Sequence, residues 1–345
     1  MKRTLTKNLS LSAILVAGFL FFQINEARAI VLAPAKVEIE AAPGNVVKDR
    51  IILLNDSEES VTYYSSVERF EALGETGTPN FVPSDTGLAS WTSVAESITL
   101  APNESKEVPY TISIPADAEP GGHFSAIFWS TLSPAGSGGG QVLIGTKTGV
   151  LFLVGVAGDF EEKGGVTEFS TLDGGKIVNS LPVRFFYRFQ NDGGDRLNPD
   201  GLITVKNLFG GTTSVLDANL TEGNVLPRSV RKFEVLWGEK TEEPNLIHVN
   251  NIAERGFFQA AGAQWKDFLF GPYTAKLQVS YGSDNQQETA KFRFFAFPWQ
   301  LLTVILAVLI VVGFGGKTLL LRYNRWVIAQ AAQGANKKPT KRKKK

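Results

Sequence analysis

No acidic side chain follows Glu288, and within that stretch residues 301–316 are almost wholly apolar. Taken with its flanks as residues 298–321, the run is long enough to cross a hydrocarbon core as one helix. Ten cations come after it: Lys317, Arg322, Arg325, Lys337, Lys338, Lys341, Arg342, Lys343, Lys344 and Lys345. Lys and Arg beside a span mark the cytoplasmic side. The expected topology therefore places a basic tail, residues 322–345, inside and everything before Pro298 outside. Phe297 and Trp299 are the expected outer interface residues, and Lys317, Arg322 and Trp326 the inner ones.

The other end of the chain fits export. Lys2, Arg3 and Lys7 precede an apolar stretch at residues 9–22, and Ala27-Arg28-Ala29 supplies small residues where a signal peptidase reads. Residues 1–29 are read as a signal peptide, with Ala27 and Ala29 setting the cleavage site. An uncleaved N-terminal anchor is the competing reading.

The formal net charge of +1 averages three compartments. Residues 30–296 hold 21 basic and 33 acidic side chains, a net charge of −12. So acidic a body argues against nucleic acid or anionic headgroups as partners of a basic surface. The chain has no cysteine. That excludes disulfide scaffolds, cysteine zinc sites and thiol nucleophiles, and leaves burial to hold an exported protein together.

Between the two apolar segments the sequence reads as short strands. Val108, Tyr110, Ile112 and Ile114 alternate with polar residues, as do Val183, Phe185, Tyr187 and Phe189, and Tyr273, Ala275, Leu277, Val279 and Tyr281. A period of two puts one set on a buried face. Weaker strands are expected at 35–40, 47–54, 61–70, 97–100, 123–132, 142–156, 202–207 and 289–297, with turn formers such as Asn55-Asp56, Pro120-Gly121-Gly122 and Asn191-Asp192-Gly193-Gly194 between them. The fold class is all-β: two tandem Ig-like β-sandwich domains plus one C-terminal transmembrane helix. The expected domains are residues 30–160 and 165–296, divided at a charged, glycine-ended break, with 134–140 as a hairpin tip. A faint duplication supports the division. Ser105 and Phe124 correspond to Ser229 and Tyr273, leaving an insert near 238–270 that carries one helix around 258–268.

No constellation reads as catalytic. His123, Ser125 and Asp117 are close in sequence, but His123 and Ser125 stand two apart on one strand, and a strand-start structural role is the reading taken. Asn191, Asp192, Asp195, Asn198 and Asp200 lack the spacing of a calcium loop and suit tight turns. Paired glutamates such as Glu58-Glu59 point opposite ways on extended chain. No cofactor and no metal is expected, and the protein is read as binding rather than catalytic.

The segment Pro120, Gly121, Gly122, His123 and Phe124, continuing through Phe128 and preceded by Ile112-Ser113-Ile114-Pro115, resembles that of the WxL-interacting surface proteins of Gram-positive bacteria. The order of parts resembles theirs too. That resemblance implies a bacterial membrane protein, single-pass, with both domains extracellular and a WxL-like envelope protein as partner. It also implies wall contact by the second domain. The main expectation is a membrane-anchored surface protein that recognises another envelope protein. Binding to a wall polymer such as peptidoglycan, or a chaperone-like role complementing a partner's strand, are the alternatives.

Overall fold

The computed structural model describes residues 30–132, 147–238 and 256–335, with side chains up to residue 330. Ala27 and Ala29, the 134–140 loop, His248 and the basic end from Lys337 onward lie outside the described residues. The chain divides into two compact units, Met1–Glu71 with Pro79–Phe160, and Ala72–Thr78 with Glu161–Lys345.

Alternation in the sequence becomes burial in each unit. In the first, β1 (Ile30–Ala33), β3 (Val46–Asn55), β8 (Ser105–Ser113) and β6 (Thr92–Val94) form one sheet in that order. β2 (Lys36–Ala41), β10 (Lys147–Val156), β9 (Gly121–Ser130), β4 (Val61–Leu73) and β5 (Thr78–Pro83) form the other, with β7 (Ser97–Leu100) also on β4. Ile51, Leu53, Ile112, Ile127, Trp129 and Phe152 are fully buried between them. Burying each such side chain is worth about 1.5–3 kcal/mol.

The second unit repeats the scheme. β11 (Gly164–Thr171), β13 (Val183–Asn191) and β16 (Ser229–Trp237) make one sheet. β12 (Ile177–Val178), β18 (Gln286–Ala296), β17 (Gly271–Tyr281), β14 (Asp200–Asn207) and β15 (Thr212–Asp217) make the other. In both units the second sheet starts with a strand running parallel to its neighbour, β2 on β10 and β12 on β18. β9 and β17 both begin at a glycine of positive φ, Gly121 at 110° and Gly271 at 99°. A side chain is strained in that region, which glycine tolerates. The segment Ala72–Thr78 belongs to the second unit by its contacts: Lys232 N–H donates to Glu75 O at 2.7 Å, and Arg188 pairs with Glu75 and Glu168.

Several short elements carry no alternation and were not expected individually: β1, β5, β6, β11, β12, β15 and the one-turn helix α1 (Leu88–Trp91). β11 has a register shift between Val166 and Glu168, which breaks its period. The helix expected at 258–268 is α2 (Phe257–Lys266). Helix α3 (Trp299–Ala335) runs well past residue 321, because the following residues are rich in Arg, Gln and Ala and favour helix.

Each unit has a fully buried asparagine at the end of the strand second in its smaller sheet. Asn55 closes β3: its Nδ2 donates to Leu100 O (3.2 Å), Ala101 O (3.0 Å) and Glu59 O (2.9 Å), while its Oδ1 accepts from Ser57 and from the Tyr63 hydroxyl at 2.9 Å. Asn191 closes β13: its Nδ2 donates to Asp195 O (2.7 Å) and Val225 O (2.8 Å), and its Oδ1 accepts from Gly193 N–H at 2.9 Å. One amide thus satisfies main-chain groups from segments far apart in sequence. Asn191→Ala leaves buried carbonyls unpaired and is expected to lower unfolding free energy in urea by about 3 kcal/mol. Asn191→Asp does not rescue, since a carboxylate has no N–H to offer those carbonyls. A loss below about 1 kcal/mol would show that water replaces the amide.

Candidate functional site

The segment Pro120 to Phe124 lies where β9 begins. His123 Nε2 lies 2.8 Å from Glu119 O, and its ring packs 4.6 Å from that of Trp91 in α1. Ser125 is fully buried on β9, and its hydroxyl has no partner among the described residues. His123 and Ser125 therefore form no relay, and the histidine serves the strand's start. Phe124 points to the opposite face, 5.8 Å from Phe70, in a row completed by Phe81 and Phe128. The five residues meet at the start of β9.

The neighbouring strand holds the more informative feature. β10 pairs with β9 along its whole length, from Lys147 opposite Ser130 to Val156 opposite Gly121. On its other side β2 covers only the later part, from Leu151 opposite Lys36 to Val156 opposite Ala41. The reason is local. The chain runs first in β1, antiparallel to β3 in the opposite sheet, and joins β10 only after Pro34, which has no N–H to donate. Leu151 N–H donates to Ala35 O at 3.1 Å, so odd-numbered residues of β10 face that side. Lys147 and Gly149 consequently turn main-chain N–H and C=O to a side on which no strand pairs with them among the described residues, although β1 lies close to β10. An uncovered edge of this kind is a template for another extended chain.

Side chains around the edge are firmly held. Lys147 pairs with Glu68 and lies 4.0 Å above the Phe128 ring. Inside the sandwich, Phe152 of β10 meets Tyr110 of β8 edge-on at 4.9 Å. Burial, and secondarily the Asp49 carboxylate, push the Tyr110 hydroxyl up to about 12. Burial also raises Tyr63. No group of three or more His, Asp or Glu suited to a metal occurs among the described residues.

The expected interface residues all fall at or on α3. Phe297 and Trp299 are exposed at its start, where the ring of Phe257 meets Trp299 at 5.7 Å. Lys317, Arg322 and Trp326 are exposed further along, with Tyr323 and Trp326 rings 6.1 Å apart. Trp299 to Lys317 spans about 27 Å at the helical rise, matching a hydrocarbon core. Residues Trp299–Gln330 are one helix long and apolar enough to cross a membrane.

No family model matches this chain, and no curated protein matches it. Solved structures do. The class 5 fimbriae chaperone CfaA is 9% identical over 78% of this chain and 100% of its own, at a TM-score of 0.36. The chaperone DraB of E. coli is 12% identical over 78% and 96%, at 0.33. The CupB2 chaperone of Pseudomonas aeruginosa is 9% identical over 76% and 100%, at 0.34. The likeness is one of fold. It does not single out WxL-interacting proteins.

Sequence reading missed the β10 edge and the asparagine pair. The edge has no local signal, since the alternation of β10 is the same whether or not a neighbour covers it. The asparagines had one, because Asn-Asp ends a strand at the same place in both halves.

A tyrosine whose ionisation is raised by folding stabilises the protein fully below the unfolded value of 10 and loses that contribution as pH climbs towards 12. Urea midpoints should therefore be flat up to pH 10 and fall between pH 10 and 12. Tyr110→Phe should flatten part of that fall. An unchanged slope in Tyr110→Phe would assign the alkaline loss to other groups.

Proposed function

We propose that the protein is a single-pass envelope protein whose first β-sandwich binds an extended segment of a partner protein by adding it to β10. The observation that carries this reading is the stretch 147–150, unpaired on one side among the described residues, which lies beside the point where β1 and β2 part to opposite sheets. A segment of alternating apolar residues suits it: one face would continue the row of Val150 into the core, and the main chain would satisfy Lys147 and Gly149. This is strand complementation, the chaperone-like alternative among the sequence expectations. A WxL-type surface protein is one partner of suitable chemistry. Wall-polymer binding by the first unit is less well supported, since no aromatic side chain among its described residues is exposed for sugar stacking.

The membrane part of the proposal rests on α3 and its basic end. Phe297 and Trp299 at one boundary and Lys317, Arg322 and Trp326 at the other frame an apolar stretch of the right length. With this orientation both sandwiches face outward and the tail faces the cytoplasm.

Displayed random peptides selected against the detergent-solubilised full chain test the edge. Selected peptides should read as extended alternating sequences and should slow amide exchange at 147–150. Lys147→Pro removes one outward main-chain donor and should weaken them about tenfold or more. Lys147→Ala keeps the donor and gives up a surface ion pair and the contact over the Phe128 ring, neither of which touches the added strand's main chain, so it should bind nearly as the parent does. Equal losses in the two variants, or exchange protection elsewhere, would overturn strand addition.

Orientation is checked separately, because the chain has no cysteine of its own. On intact cells, an impermeant maleimide should label Asp284→Cys, whereas Lys344→Cys should react only after permeabilisation. The reverse pattern would overturn the topology.

A further inference from the structure

Exposed aromatic rings gather at one end of the second unit. Among the described residues outside α3, every exposed Phe, Tyr or Trp lies in the turn after β14, in α2 and the loop behind it, or in the last residues before α3. Strand register brings these places together. β18 ends at Ala296 opposite Gly271, the first residue of β17, and the chain then enters α3. β14 runs against β17, so its last residue Asn207 sits opposite Tyr273. The turn that follows Asn207 thus projects from the sheet end at which the apolar helix begins.

That turn is built to hold its shape. Asn207 N–H donates to Gly211 O at 3.0 Å, and Gly210 N–H donates to Asn207 O at 3.0 Å. The Asn207 Oδ1 accepts from Phe209 N–H at 3.1 Å and from Gly211 N–H at 3.0 Å. On this braced tip stand Leu208 and Phe209, 67% and 92% exposed. A flexible loop would fold such residues back onto the protein; this one presents them to the outside.

Helix α2 lies at the same end and is joined to the start of α3. Its Gln264 is buried, and the side-chain oxygen accepts from Leu301 N–H at 2.9 Å. Ala260, Ala261 and Gln264 form the inner stripe. The outer stripe carries Phe258 and Trp265, seven residues and therefore about two turns apart, at 80% and 72% exposure. Phe268 and Phe270 continue the exposed surface behind the helix, and Phe270 meets Phe295 of β18 at 6.1 Å.

Apolar surface on this scale marks an interaction site. The occupant follows from position, since α2 meets the first turn of α3 through Phe257 and Trp299 at 5.7 Å and the tip stands at the same sheet end. Aromatic rings favour the headgroup region, and a helix with one such stripe lies in the interface about 5–10 Å deep. Lys266 is the one charged residue of α2 and is followed by Asp267, so apolar contact rather than lipid charge would hold it.

Resting on the reading of α3 as a span, we infer that the Leu208–Phe209 tip and the outer stripe of α2 insert into the headgroup–acyl boundary of the leaflet that α3 enters. The second unit is then seated on the bilayer at three points, tip, helix and span, rather than hung from a tether. Its membrane-distal end, at the turn between β17 and β18, stays in water.

Single-cysteine variants of the full chain, carrying an environment-sensitive NBD label in phosphatidylcholine nanodiscs, test this. Phe209→Cys reports the tip, Trp265→Cys the helix, Asp284→Cys the opposite end of the sheet and Leu309→Cys the span. Lipids bearing a doxyl quencher near the headgroup should remove most of the emission at 209 and 265 and leave 284 unchanged. Lipids with a quencher deep in the chains should quench 309. Quenching at 309 without quenching at 209 and 265 would overturn the seating while leaving the span intact. A blue-shifted but unquenched label at 209 would overturn it too, because protein and not lipid would then cover the tip. A label at 309 that no lipid quencher reaches would overturn the span and the seating with it.

Discussion

Main-chain hydrogen bonding at the sheet edges is the constraint on which the protein depends. Burial holds the two sheets of each sandwich together, but the edge of the larger sheet has to be closed by strand pairing, and both units do so by the same device. A short strand runs parallel to the last long strand of the unit, β2 against β10 and β12 against β18. In the first unit this device is incomplete. The chain has to travel along β3 before it reaches β10, and whatever part of β10 precedes that crossing is left with donors and acceptors facing outward. The edge proposed to bind a partner is thus a by-product of how the unit is closed.

The buried asparagines show the same economy on a smaller scale. At the end of β3 and of β13 the chain turns sharply while still inside the protein, where orphaned carbonyls are costly. A carboxamide offers two N–H donors and an acceptor oxygen at once, so a single residue fastens the turn to segments such as residues 100–101 or Val225. Residues that suggest a calcium loop by composition, Asn191 and Asp195 among them, are occupied in this way by main-chain and neighbouring groups.

The end of the second unit at which α3 begins obeys a different rule. There the rings of α2 and of the turn after β14 are not packed inward, although the core beside them is dense with Phe185, Trp237, Tyr273 and Phe294. Rings left outside next to a well-filled core are surplus to folding, which is why their position at the mouth of the apolar helix carries weight. The Asn207 brace has the same sense: it fixes the presentation of two apolar side chains that contribute little to the fold.

Alternation along β8, β13 and β17 made the sandwiches legible before any coordinates, because a period of two leaves only one way to bury the rings of Tyr187 or Tyr281. The long apolar run likewise declared the apolar helix α3, since length and hydropathy are properties of the chain itself. Short edge strands such as β15 and the bulged β11 were not legible, their residues being half polar and their pairing supplied by neighbours. Which part of β10 lacks a pairing strand, and which turn shares the sheet end at which α3 begins, were decided by tertiary structure alone. Both depend on register between strands that are distant in sequence, and register is set by the packing of whole sheets, which no local pattern of residues records.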